Sequence, residues 1–135
     1  MKMKQLLVPI AATLAALSVL IGAFAAHALK AKLSPQALGW IETGVQYQQL
    51  HSLAILIIGF IIKLSPHWHR LDKAAYSFII GTLLFSGSLY FMALTGITSL
   101  AILTPVGGLA FLLGWGLLIW AFVRADTNFG KKDDR

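Results

Sequence analysis

Residues 74–123 read AAYSFIIGTLLFSGSLYFMALTGITSLAILTPVGGLAFLLGWGLLIWAFV, and none of these fifty positions holds Asp, Glu, Lys or Arg. A single α-helix of this length would measure about 75 Å, whereas the hydrocarbon core of a bilayer is about 30 Å thick. The chain must therefore turn back within the stretch. The small and polar run TGITS at residues 95–99 predicts the turn, and Pro105 suits the first turn of the helix that follows.

Two further uncharged stretches precede this one. Residues 5–29 and 43–62 contain no formally charged side chain, and each is long enough to cross a bilayer once. Backbone amides in hydrocarbon must be bonded within the chain, so we expect helices and not open strands. The sequence predicts an all-α integral membrane protein, with a single membrane domain over residues 1–135 and four transmembrane helices in a compact bundle. The predicted spans cover about residues 6–28, 41–62, 74–95 and 102–123.

The composition excludes several classes of protein. Hydrophobic residues make up 58% of the 135 residues and charged residues only 12%. A soluble domain carries about 25% charged residues, so an ordinary cytosolic enzyme and a disordered regulator are excluded. The absence of cysteine excludes a disulfide scaffold, a thiolate nucleophile and a cysteine metal site. The net charge of +6 comes from basic residues scattered in ones and twos, which predicts membrane-flanking charges and no nucleic-acid partner.

The basic residues are distributed unequally between the two ends of the predicted bundle. Nine of the eleven Lys and Arg residues lie in the N-terminus, the second loop and the C-terminal tail, and only Lys30 and Lys32 lie in the first loop. Because cytoplasmic loops carry the excess of positive charge, both termini are predicted to face the cytoplasm. An alternative is a cleaved signal peptide, with a small-x-small sequence at residues 23–25. The apolar core of this signal peptide, residues 6–23, would be longer than the usual 7–15 residues, which favours retention of the first span.

The first half of the second predicted span is unusually polar. On a helix, Glu42, Gln46 and Gln49 share one face, and the other polar side chains lie opposite. Such a segment is either enclosed by other helices or raised into the outer interface. Two interpretations stay open, because polar groups at membrane depth are candidates for function and also hold neighbouring helices together. For Glu42 we predict an interfacial ion pair with Lys30 or Lys32. Together with a histidine of the first span, the candidate polar membrane site comprises His27, Glu42, Gln46, Tyr47, Gln48, Gln49 and His51.

The histidines His27 and His51 fall in the same half of the predicted bundle. They are open to three interpretations, namely structural histidines, a proton relay, or ligands for haem or a metal ion. No third ligand at a suitable spacing and no Cys-x-x-Cys-His motif accompanies them. We therefore predict structural histidines, with no metal and no cofactor. The HWH sequence at residues 67–69 is predicted to form a turn at the level of the headgroups.

Small and hydroxyl residues are concentrated in the third and fourth predicted spans. Small residues let helix backbones approach closely and hydroxyls bond across the interface, so helix packing is the first interpretation. The second is that Gly107 and Gly108, which follow Pro105, are locally unwound and offer free amides to an anion or a lipid headgroup. The glycines form no phosphate-loop pattern, which excludes a nucleotide site. This candidate helix-packing or backbone site comprises Ser86, Gly87, Ser88, Tyr90, Thr104, Pro105, Gly107 and Gly108.

Catalytic patterns are missing from the sequence. It contains no Gly-x-Ser-x-Gly, no His-Glu-x-x-His and no carboxylate pair in the predicted spans, and only Glu42 of its five acids falls within a span. Because enzymes need several titratable groups placed together, we predict that the protein is not an enzyme.

Five ordered motifs of the chain resemble a known family. They are GAFAAHAL at residues 22–29, WIETG at 40–44 followed by Tyr47, Gln48 and His51, LFSGSLY at 84–90, TPVGG at 104–108 and GW at 114–115. In this order they resemble the YgdD-like family of small, uncharacterised bacterial inner-membrane proteins, which has eukaryotic TMEM-type relatives. The resemblance covers about residues 6–123, with Ala25 standing where glycine is expected. It implies a four-span inner-membrane protein without a cleaved signal, and it implies no activity because the family is one of unknown function.

Two functional predictions follow from these observations. The leading one is an interaction or accessory protein of the inner membrane, in contact with the lipid bilayer and with a membrane-protein partner or a second copy of the chain. The alternative is a small transporter or channel subunit that uses the polar half of the second span. It would work as an oligomer, because four short spans enclose little of a pathway alone.

Overall fold

The protein is all-helical in the computed structural model, which describes residues 3–65, 68 and 70–129. Within these residues four helices are long and apolar enough to cross a membrane, which confirms the predicted number. Helix α1 continues into one π-helical turn at Ala25–Leu29, and a short 3₁₀ helix at Thr98–Ile102 precedes α4. The long helices are α1 (Met3–Phe24), α2 (Pro35–Leu64), α3 (Leu71–Thr95) and α4 (Leu103–Phe129).

The helix ends follow local sequence chemistry. The hydroxyl of Ser34 accepts from the backbone N–H of Ala37 at 3.1 Å, and Pro35 occupies the first turn of α2. Helix α3 ends at Thr95 and is capped by Gly96, which has a left-handed φ of 71° and donates its N–H to Met92 O at 2.9 Å. The turn predicted at residues 95–99 therefore lies where the third helix ends.

Consecutive helices pack against one another as antiparallel neighbours. Helices α2 and α3 form the inner pair, and α1 and α4 flank it, with a larger share of their surface exposed. The main core lies toward the end of the molecule that holds the start of α1. Its fully buried side chains include Leu7, Ile55, Ile58, Leu71 and Phe78. A second cluster, Ala37, Ile41 and Ala93, closes the other end.

Basic residues gather at the end of the molecule formed by the starts of α1 and α3 and the ends of α2 and α4, which we term the basic end. Here Lys4 Nζ lies 3.2 Å from Asp72 Oδ2. The guanidinium groups of Arg70 and Arg124 each lie 4.8 Å from the centroid of the Trp120 ring. Four of the basic residues used to predict the orientation lie outside the described part of the chain, namely Lys2, Lys131, Lys132 and Arg135. His67 and His69 of the predicted headgroup-level turn also lie outside it.

Candidate functional site

Gln48 connects three helices through its side-chain amide. Its Nε2 donates to the backbone oxygen of Leu14 on α1 at 2.7 Å, and its Oε1 accepts from the hydroxyl of Tyr90 on α3 at 2.8 Å. The side chain is 4% exposed. The hydroxyl of Ser52 donates to the backbone oxygen of Gln48 at 2.6 Å one turn further along α2. The most buried glutamine of the second span is thus a connection between helices.

Helices α2 and α3 approach closely one turn before Gln48. The hydroxyl of Ser86 donates to the backbone oxygen of Gly44 at 2.7 Å. The ring of Tyr90 lies over the same glycine, where an added Cβ would come within 2.6 Å of Cε1. Glycine at position 44 therefore allows Tyr90 to reach Gln48 across the interface.

Both ring nitrogens of His51 have partners inside the protein. Nδ1 lies 2.7 Å from the backbone oxygen of Tyr47, which can only accept, so Nδ1 carries the hydrogen. The indole N–H of Trp115 on α4 donates to Nε2 at 3.2 Å, so Nε2 carries none. These partners assign the neutral Nδ1–H tautomer. The ring is 2% exposed and stacks on Phe111 with centroids 3.6 Å apart.

This arrangement leaves His51 without a lone pair for a metal ion or haem iron. His27 lies exposed on the π-helical turn that follows α1, whereas His51 contacts rings of α2, α3 and α4. The structure does not bring the two histidines together. Among residues 3–65, 68 and 70–129 no group of three or more His, Cys, Asp or Glu side chains could hold a metal ion.

The opposite face of α2 carries the remaining polar side chains of the second span. Glu42, Gln46 and Gln49 are exposed, and none of them has a hydrogen bond or ion pair with another described residue. The expected ion pair of Glu42 with Lys30 or Lys32 is therefore wrong, although Lys30 and Glu42 line the same gap between α1 and α2. The two amides project one turn apart on a face that no other helix of the described chain covers. We term Glu42, Gln46 and Gln49 the exposed polar strip.

Tyr47 lies at the edge of the buried face and is 41% exposed. Its ring packs on Phe85 with centroids 4.4 Å apart. Together with His51 and Trp115 it lines a shallow groove of about 560 Å³ between α2 and α4. Pro105 and Gly108 of the second candidate set line the same groove.

Three other members of that second set, Ser88, Thr104 and Gly107, hold α3 and α4 together, whereas Ser86 and Tyr90 join α3 to α2. The hydroxyls of Ser88 and Thr104 share a hydrogen bond of 2.7 Å. Gly107 is buried against the backbone of Phe85, where any side chain would overlap. Gly87 has no neighbour within 4 Å of an added Cβ and takes no part in the contact.

The segment that includes Gly107 and Gly108 is regular α-helix, since α4 runs without interruption from Leu103. Its amides are therefore used by the helix itself. The hypothesis of an unwound segment that offers free amides to an anion is wrong. The glycines serve close packing.

Three polar residues of the interior were not among the candidate residues predicted from the sequence. Trp115 appeared in the sequence only as part of the GW motif. A buried indole N–H usually finds an acceptor, so a tryptophan in an apolar helix could have indicated this bond. Ser77 is one of the hydroxyl residues of the third span, and its hydroxyl donates to the backbone oxygen of Ala110 on α4 at 2.7 Å. Thr82 is buried and its hydroxyl has no partner among the described residues. Nothing in the local sequence distinguishes Thr82 from a hydroxyl bonded to its own helix.

Comparisons with known proteins place these observations in a family context. A family model described as "Protein of unknown function (DUF423)" matches residues 21–108. A "UPF0382 membrane protein" of Haemophilus influenzae is 44% identical over 107 residues, which are 76% of this chain and 85% of that protein. The "UPF0382 inner membrane protein YgdD" of Escherichia coli K12 is 41% identical over 110 residues, 78% of this chain and 80% of that protein. The "UPF0382 membrane protein YwdK" of Bacillus subtilis is 36% identical over 110 residues, 82% and 89% of the two chains. No solved structure matches.

Proposed function

The chain belongs to the DUF423 (UPF0382) family of membrane proteins, for which no biochemical activity is established, and we propose that it works by binding another transmembrane helix and not by catalysis. The observation that carries the proposal is the exposed polar strip of α2. Its three side chains have no partner in the described part of the chain, and they belong to a helix long enough to cross the membrane.

The depth of the strip supports a protein partner. Gln49 lies fourteen residues before Lys63, which corresponds to about 21 Å along the helix. With Lys63 at one boundary of a hydrocarbon core about 30 Å thick, Gln49 falls inside the core. An amide without a hydrogen bond there costs several kcal/mol, so a polar group of a partner helix would stabilise it.

The same face of α2 argues against the alternative of a small oligomeric transporter or channel subunit. Between Gln49 and Lys63 the exposed side chains of α2 are all apolar, namely Leu50, Leu53, Ile57 and Phe60. A pathway lined by this face would be polar for only part of its length. A contact with a partner helix needs no continuous polar lining.

The buried polar groups also support a non-catalytic role. The amide of Gln48 and both nitrogens of His51 are occupied by partners within the protein. A general acid or base would have to give up one of these bonds to act on a substrate.

The proposed topology is a single domain of the inner membrane with both termini in the cytoplasm. It is supported by the basic end and by the names of the relatives. Because the chain has no cysteine, single cysteines can report the topology. In intact cells a membrane-impermeant thiol reagent should label K32C and leave K73C unlabelled. The reverse pattern would place the termini outside.

Photo-cross-linking tests the proposed partner contact. A photoreactive amino acid at Leu50, which is 54% exposed beside the strip, should give a protein adduct in native membranes. The same probe at Leu83, which is 63% exposed on α3, is the matched control and should react with lipid alone. The double substitution Gln46→Leu and Gln49→Leu should remove the adduct from position 50.

The mass of the adduct identifies the partner. An adduct of twice the chain mass indicates a second copy, and any other protein mass indicates a different membrane protein, and either result supports the proposal. Lipid adducts alone at position 50, as at position 83, would overturn it.

A further inference from the structure

A groove separates α1 from α2 at the basic end, away from the exposed polar strip. Its volume is about 630 Å³. The floor is apolar and is formed by Val8, Pro9, Gly59 and Ile62. Gly59 lets α1 and α2 pack closely beneath the groove, since an added Cβ would come within 2.9 Å of Val8 Cγ2.

The rim of the groove is polar and basic. Lys4 and Gln5 line it from α1, and Lys63 lines it from α2. Lys63 is exposed and forms no ion pair with a described residue. Lys4 is held by Asp72, whose carboxylate lies on α3 and offsets part of its charge. Lys4, Lys63 and Asp72 together carry a net charge of +1.

We propose that this groove binds one phospholipid with an anionic phosphodiester headgroup. The phosphate lies between Lys4 and Lys63 with the amide of Gln5 as a further donor, and one acyl chain follows the apolar floor. A net charge of +1 matches the single negative charge of a phosphatidylglycerol-type phosphate. Basic pockets between transmembrane helices are a known mode of anionic lipid recognition.

The apolar floor distinguishes a lipid from a soluble phosphate. Inorganic phosphate would use the rim and leave the floor unoccupied, whereas a phospholipid uses both. The site is independent of the proposed partner contact, because the strip and the groove involve different residues near different ends of α2.

Native mass spectrometry of the purified full-length chain in detergent tests the proposal. Phosphatidylglycerol and phosphatidylethanolamine with the same acyl chains serve as probes at equal concentration. We expect one phosphatidylglycerol to be retained per chain in preference to phosphatidylethanolamine. Lys63→Gln should lower the affinity for phosphatidylglycerol about fivefold, the effect of one lysine at an anionic lipid surface.

Lys73→Gln is the matched control. Lys73 is exposed at the same basic end on α3 and does not line the groove, so the variant makes the same charge change elsewhere. Lys73→Gln should change the affinity for phosphatidylglycerol less than twofold, because Lys73 does not contact the lipid in the groove. Lys63→Arg should keep the preference for phosphatidylglycerol, and an unchanged melting temperature of both glutamine variants would show that they fold.

Three results would overturn the proposal. The first is equal retention of the two phospholipids. The second is an equal loss of phosphatidylglycerol in the Lys63→Gln and Lys73→Gln variants, which would indicate diffuse attraction to the basic end. The third is displacement of the lipid by inorganic phosphate at millimolar concentration, which would show that the rim binds phosphate without using the floor.

Discussion

The indole of Trp115 on α4 donates to Nε2 of His51 on α2 across 3.2 Å, and this bond joins two helices that are not neighbours in the chain. The other ring nitrogen is bonded to the backbone oxygen of Tyr47, one turn earlier on α2. The imidazole is consequently a fixed bridge, because neither nitrogen can turn to a new partner without breaking a bond. This pairing explains how a histidine can lie buried in a membrane helix without a charge or a ligand.

Removal of the indole N–H should destabilise the protein. Trp115→Phe keeps an aromatic ring and leaves Nε2 of His51 as a buried acceptor without a partner, at a cost of about 1–3 kcal/mol. Thermal unfolding in detergent should show a lower midpoint. In ¹⁵N NMR of labelled histidine the Nε2 resonance should shift, whereas the Nδ1–H tautomer is kept because Tyr47 O still accepts from Nδ1. Trp40→Phe is the control, since the Trp40 indole has no hydrogen-bond partner among the described residues. An equal loss in both variants would contradict the assigned bond.

Two neighbouring glutamines should respond differently to the same substitution. Gln48→Leu removes the bonds to Leu14 O and Tyr90, and two bonds between membrane helices at about 0.6 kcal/mol each predict a loss of about 1 kcal/mol. Gln46→Leu removes an exposed amide with no partner in the described chain and should not lower the stability of the detergent-solubilised monomer. Denaturant titration of both variants measures the difference. A larger loss for Gln46→Leu would show that the burial assigned to the two residues is reversed.

Two glycines should respond to alanine with opposite signs. Alanine within a helix normally gains about 0.5–1 kcal/mol over glycine. Gly87→Ala should show this gain, because an added Cβ meets nothing within 4 Å. Gly44→Ala should lower stability, because its Cβ would press on Tyr90 and move the hydroxyl away from Gln48. Melting temperatures of the two variants decide the matter, and a gain in both would mean that α2 and α3 are less tightly packed.

The hydroxyl pair between α3 and α4 should be energetically coupled. A double-mutant cycle with Ser88→Ala and Thr104→Val is expected to give a coupling energy of about 0.6 kcal/mol. Ser88→Ala combined with Thr95→Val is the control cycle, since the Thr95 hydroxyl bonds to Phe91 O of its own helix. That cycle should be additive. Additivity in the Ser88 and Thr104 cycle as well would contradict the bond between the helices.

The sequence predicted the helices because their cause is local in the chain. Fifty uncharged residues cannot form one span, and the glycine at position 96 and the proline at position 105 bound the turn. The division of the polar residues of α2 into two faces likewise followed from helical periodicity, and the buried face holds Gln48 and His51.

The partners of those residues could not be predicted in the same way. Gln48 bonds to Leu14 and Tyr90, which lie 34 and 42 residues away in the sequence. Such pairs depend on the axial position of each helix relative to its neighbour, which local sequence does not determine. The ion pair predicted for Glu42 is wrong for the same reason. Glu42 and Lys30 line the same gap, but the sequence does not determine whether their charged groups come within contact distance. The role of Trp115 could not be predicted either, because the sequence does not show that α4 lies beside His51.

The π-helical turn at Ala25–Leu29 has a consequence for how the chain length can vary. A π turn holds one residue more than an α-helical turn of the same rise, so the extra residue is absorbed locally. Deletion of the exposed Ala28 would convert the turn to regular helix and keep Leu7 and Ala11 in their contacts with α2. A chain one residue shorter at this turn would therefore share the same helix packing, whereas the same deletion inside α2 or α3 would shift the side chains of a packed interface.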